Sequence, residues 1–149
     1  MPAGSEGGRA LPRTFRPRAT TAAATVFGGA LLAISLASWF LLASDIRERF
    51  TPFQIGTLVF LGLLIFAVYV GLIRCRVTAR DDGLEVVNGY RKHRYDWAQV
   101  VAVRLPSGAP WATLDLADGT TVTALGIQAS DGDRARGQIR ELRAILDRT

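Results

Sequence analysis

Two stretches of this sequence carry no charge at all, and they limit the fold more than anything else in it. Ala19 to Ser44 is 26 residues long, and Phe50 to Ile73 is 24. A helix needs about 20 apolar residues to cross a hydrocarbon core about 30 Å thick. Both runs exceed that length, and the second is the richer in Leu, Ile, Val and Phe. The residues after Ile73 are too few to bury two such helices inside a soluble core. The reading is a transmembrane hairpin over 19–73, with spans at about 20–44 and 50–73.

The first run also has the outline of a secretory leader, with a basic lead and a small-x-small triplet, Ser35-Leu36-Ala37. Its apolar stretch continues through Trp39, Phe40, Leu41 and Leu42, well past the roughly 7–15 residues of a leader core. An uncleaved span is therefore expected. Pro52 suits the first turn of the second helix, where its missing N–H is not needed. Neither span contains Asp, Glu, His, Lys or Arg. Ion paths and proton relays depend on such groups, so a transporter is not expected.

Arginine placement sets the expected orientation. Arg9, Arg13, Arg16 and Arg18 precede the first span, and Arg74, Arg76 and Arg80 follow the second. The joint between the spans offers only Arg47 and Arg49, balanced by Asp45 and Glu48. Both termini are expected in the cytoplasm of a bacterial plasma membrane, with the joint outside. Residues 1–18, rich in Gly, Pro and Arg, read as a disordered basic tail.

After Arg74 the pattern changes to short strands between turn signals. Arg76–Ala79 leads to the turn Asp81-Asp82-Gly83, and Leu84–Val87 leads to Asn88-Gly89, a strong hairpin signal. With Asn88 and Gly89 as the loop, Val87 faces Tyr90 and Glu85 faces Lys92, an opposite-charge pair. Tyr90–Tyr95, Val100–Leu105, Trp111–Leu116 and Thr120–Leu125 are further strands, the last two joined at Asp118-Gly119. Ala135, Ile139, Leu142, Ile145 and Leu146 then fall on one helical face. Ser130, three residues before Asp133, is a weak helix-start signal. The order is about six strands, arranged as a partly open barrel or orthogonal sheets, then a capping helix.

Three segments resemble one known family. They are Val77-Thr78-Ala79-Arg80-Asp81-Asp82-Gly83-Leu84, then Tyr95-Asp96-Trp97-Ala98-Gln99-Val100, then Ala112 through Thr120. Together they resemble the bacterial PH-like domain of the actinobacterial low-molecular-weight protein antigen 6 family. The resemblance covers about Phe50 to Leu125 and the last helix more loosely. It implies a PH-like fold over 74–149 and a membrane address, and it implies no ligand.

Little in the chain points to chemistry. Cys75 is the single cysteine, so no internal disulfide forms. It lies beside the second span, where a thiol can be acylated, though an unmodified thiol is the simpler reading. Asp81, Asp82 and Asp96 are carboxylates that turns demand. His93 has no triad around it, and Trp97 and Trp111 read as core or core-edge anchors. From Arg74 onward there are 12 basic and 10 acidic residues, too balanced for a nucleic-acid footprint. No enzyme, metal or cofactor is expected.

The residues singled out for lipid or partner contact are Arg74, Arg76, Arg91, Lys92 and Arg94. The expected function is a membrane-anchored PH-like interaction module, non-enzymatic, offering a cytoplasmic β domain to a protein partner or to a second copy. The alternative is a lipid-sensing module whose basic strand makes weak contact with anionic head groups.

Overall fold

A computed structural model describes residues 10–149. Two long helices, α1 (Arg18–Leu41) and α3 (Pro52–Arg74), flank the four-residue helix α2 (Ser44–Arg47). Both long helices are long and apolar enough to cross a membrane, and almost none of their apolar surface is buried in the protein. They run side by side. Thr25 and Tyr69 meet through their hydroxyls at 3.1 Å near one end, and Trp39 meets Phe50 edge-on at 5.4 Å near the other. Helix α3 opens with Pro52 behind a Thr51–Gln54 capping box, which satisfies two of its free N–H groups.

The β domain holds two antiparallel sheets. One has the order β1 (Arg13–Phe15), β2 (Arg76–Ala79), β3 (Gly83–Asn88), β4 (Arg91–Asp96). The other is β5 (Val100–Arg104), β6 (Trp111–Leu116), β7 (Thr121–Gln128). The sheets meet where β7 crosses β2. A Cβ at Gly126 would lie 2.5 Å from the Arg76 carbonyl carbon, so only glycine allows that approach. Helix α4 (Asp133–Leu146) covers the core and buries Ala135, Ile139 and Leu142 against Val77, Leu84, Val103 and Leu114. Ile145 and Leu146 pack at the margin.

Three expectations change. Six strands do follow Arg74, but a seventh, β1, comes from the segment read as a disordered tail. Residues 1–9 of that tail lie outside the described residues. Arg13–Phe15 pair with Val77–Ala79, because Phe15 is buried in the core and Arg13 Nε donates to Glu141 Oε1 at 2.7 Å.

The β3–β4 loop is Gly89-Tyr90, not Asn88-Gly89: Asn88 pairs with Arg91, and Val87 with Lys92. The cause is Asn88 itself. Its Nδ2 donates to the Thr123 carbonyl and its Oδ1 accepts the Leu125 N–H at 3.0 Å. That side chain is committed to β7 and holds Asn88 in its strand.

Ser130 caps nothing at α4, whose N-cap is Gly132. The turn before α4 instead serves α1. Asp131 Oδ2 and Oδ1 accept the Arg18 and Ala19 N–H groups at 3.0 and 2.7 Å.

Candidate functional site

In β3, side chains alternate between faces. Leu84 and Val86 enter the core, so Glu85 points outward from the middle of a sheet flanked by β2 and β4. The same alternation sends Arg76, Arg80, Lys92 and Arg94 to that face. They converge on the carboxylate: Lys92 Nζ at 3.2 Å, Arg94 Nε at 3.3 Å, Arg80 at 3.4 Å and Arg76 at 3.6 Å.

Their aliphatic stems roof Glu85, leaving it 1% exposed while each cation stays partly in water. Long basic side chains cover a surface in this way. Burial alone would raise the Glu85 pKa. The hydrogen bond and charge of Lys92, with Arg80 and Arg94, outweigh it and hold the group below its ordinary value. Four cations share one carboxylate, so the face keeps a surplus of positive charge. Within it, Arg80 Nε is buried with no hydrogen-bond partner among the described residues.

Three of the five expected contact residues, Arg76, Lys92 and Arg94, belong to this cluster. Arg91 does not; it pairs with Asn88, one position out of phase with Lys92. Arg74 is also elsewhere, its guanidinium 5.4 Å from the centre of the Tyr90 ring. Arg80 was missing from the expected set, although it has the same strand parity as Arg76.

The depression beside the cluster, bounded by Arg80, Asp82, Glu85 and Asp96, has a volume of only ≈ 40 Å³. That is room for about one water molecule, not a ligand. A wider groove of ≈ 580 Å³ lies between the Leu105–Pro110 loop and α4, lined by Arg136, Arg140 and Arg143. Arg143 is partly spent there, donating from Nε to the Val103 carbonyl at 2.7 Å.

Among the described residues no group of three His, Cys, Asp or Glu is placed to hold a metal ion. His93 stacks on Tyr95 at the strand surface. Trp97 is a core-edge anchor, its indole N–H donating to the Arg80 carbonyl at 2.9 Å, whereas Trp111 is 40% exposed. Cys75 is buried, with its sulfur 3.2 Å from the Gly89 N–H that it accepts, so its thiol is not presented for acylation.

Residues 74–144 match the family described as the bacterial PH domain. Two uncharacterized mycobacterial proteins, Mb1452 of Mycobacterium bovis and Rv1417 of Mycobacterium tuberculosis, are each 34% identical over 88 residues. That stretch is 59% of this chain and 57% of each relative, so the chain spans little more than half of the relatives it matches. These relatives agree with the actinobacterial resemblance read from the sequence. No solved structure matches the chain.

Proposed function

We propose that the chain is a membrane-anchored, non-enzymatic interaction module, because residues 74–144 match the bacterial PH domain family and follow two helices fit to cross a membrane. One observation supports it above all. Strand β1 precedes the first long helix, β2 follows the second, and the two are hydrogen-bonded neighbours. A chain threaded in this way leaves the domain, makes a hairpin, and returns to the same side. With Arg13, Arg16 and Arg18 on one flank and Arg74, Arg76 and Arg80 on the other, that side is the cytoplasmic one.

The domain then offers the basic face around Glu85 to an acidic surface of a protein partner or of a second copy. Electrostatic complementarity of this kind sets on-rate and specificity more than raw affinity. The free edge of β4 lies beside it, and its charged sequence guards that edge against unspecific pairing.

Reporters active only in the cytoplasm or only outside it, fused in turn after Thr149, test the placement. A cytoplasmic signal is expected. An exterior signal would remove the orientation and send the search for partners to the cell envelope. For the partner reading, Lys92→Glu with Arg94→Glu in the full-length protein is expected to abolish cross-linking to itself or to another membrane-associated protein. Unchanged cross-links would show that contact lies elsewhere.

The lipid-sensing alternative draws on the basic strand, Arg91, Lys92 and Arg94, together with Arg74 and Arg76, of which Arg74 and Arg91 flank the β3–β4 loop.

A further inference from the structure

The tip of the β3–β4 hairpin is fastened to the last two turns of α3. The Tyr90 hydroxyl donates to the Ala67 carbonyl at 2.5 Å. The Tyr90 ring lies over Gly71, where an added Cβ would come within 3.3 Å of it. The Gly89 N–H donates to Cys75 Sγ, and the Arg74 guanidinium sits over the Tyr90 ring. Despite these contacts Tyr90 remains 61% exposed.

Length now places this tip in depth. Helix α3 begins at Pro52, behind the charged joint, and the Trp39–Phe50 pair marks that outer level. About 20 residues span the hydrocarbon core, which carries the helix from Pro52 to Gly71. The carbonyl of Ala67 lies about 6 Å deeper than Gly71 at 1.5 Å per residue. The Tyr90 ring therefore straddles the inner boundary of the core, the level at which tyrosine is enriched in membrane proteins. A free hydroxyl at that depth would be unsatisfied, and the Ala67 carbonyl supplies its partner. Arg74, three residues past Gly71 in α3, stands about 4.5 Å further outward, at the level of the head groups.

We infer that the Gly89-Tyr90 tip is a lipid-contacting anchor, seated at the boundary between head groups and acyl chains, which fixes the orientation of the PH-like domain against the bilayer. The inference rests on reading α1 and α3 as membrane spans.

The test places the photoreactive residue p-benzoylphenylalanine singly at positions 60, 90 and 117 of the full-length protein. Each variant is irradiated in vesicles of phosphatidylethanolamine and phosphatidylglycerol, and lipid adducts are read by mass. Position 60 is mid-span. Position 117 is in the β6–β7 turn, and β7 runs about 20 Å from there to Gln128, which bonds Thr20 at the start of α1.

Adducts at 60 and 90 with loss of labelling at 117 are expected. Adducts at 60 without any at 90 would overturn the anchor and leave the spans standing. Equal labelling at 90 and 117 would overturn it too, since the distal turn would then lie as near to lipid. No adduct at 60 would remove the span reading, and the anchor with it.

Discussion

Asp131 caps a helix that starts 113 residues earlier in the chain: its Oδ2 accepts the Arg18 backbone N–H at 3.0 Å, and Oδ1 takes the next N–H, that of Ala19. Helix α1 has no cap of its own, for Pro17 at its N-cap offers no side-chain acceptor. A carboxylate at a helix N-terminus satisfies open donors and meets the positive end of the dipole. Asp131→Ala is expected to cost about 1 kcal/mol, read as a lower unfolding midpoint of the purified protein in detergent. Asp131→Asn keeps an acceptor and is expected to recover most of the loss. Equal losses in both variants would assign the cap to the carboxylate's charge on the helix dipole, and no loss in either would show that the cap contributes nothing.

Phe15 makes a second connection of the same kind. It is 3% exposed and comes from a three-residue strand, so the N-terminal segment is part of the domain's core. Phe15→Ala is expected to destabilise by about 3–5 kcal/mol, far more than Arg13→Ala, which removes a half-exposed ion pair with Glu141. Denaturant unfolding monitored on the β domain reads the difference. A loss no larger than that of Arg13→Ala would mean that β1 is an ornament.

Gly126 tests how the two sheets are joined. The atoms that a Cβ would meet, at 2.5–2.7 Å, all belong to the Arg76–Val77 backbone, which cannot rotate away as a side chain can. Gly126→Ala is expected to cost about 3 kcal/mol or more, at the upper end of overpacking. Gly28→Ala in α1, where no atom of the described residues lies within 4 Å, is the comparison without overpacking. Thermal melts of the two variants should separate clearly. Coincident melts would contradict the close crossing of β7 and β2.

The helices were legible in the sequence because missing charge over helix length has few meanings. Strands β2, β3 and β5 to β7 and helix α4 were legible from their apolar residues, and β4, whose sequence has no apolar period, only from the turn signal before it. Strand β1 was not, since Phe15 alone marks it and its partner β2 lies beyond both spans. The hairpin register was misread because local turn chemistry favours Asn88-Gly89, while Asn88 answers to a tertiary partner in β7. At the basic site, charge pointed to the right strands. Parity would have completed it, by joining Arg80 to Arg76 and setting Arg91 apart from Lys92 and Arg94.

Glu85 gives the strictest test of that face. Its pKa is held below the ordinary value although burial pushes the other way, because Lys92, Arg80 and Arg94 favour the charged form. A carboxylate whose pKa is lower folded than unfolded stabilises the fold above its unfolded pKa. That contribution disappears as pH falls from about 4 through the folded value. Glu85→Gln removes the charge but keeps the shape, and its four cations can turn partly to water, so the loss at neutral pH is expected to be about 1–2 kcal/mol, below that for a wholly buried pair. The variant should also lose part of the acid sensitivity, so the wild-type and Glu85→Gln stabilities converge below about pH 4. Unfolding curves across pH 2.5–7, a range of about two units to either side of the carboxylate transition, read this directly. Parallel curves with a constant gap would mean that Glu85 packs the face without charging it, and that its four cations do not depend on its negative charge.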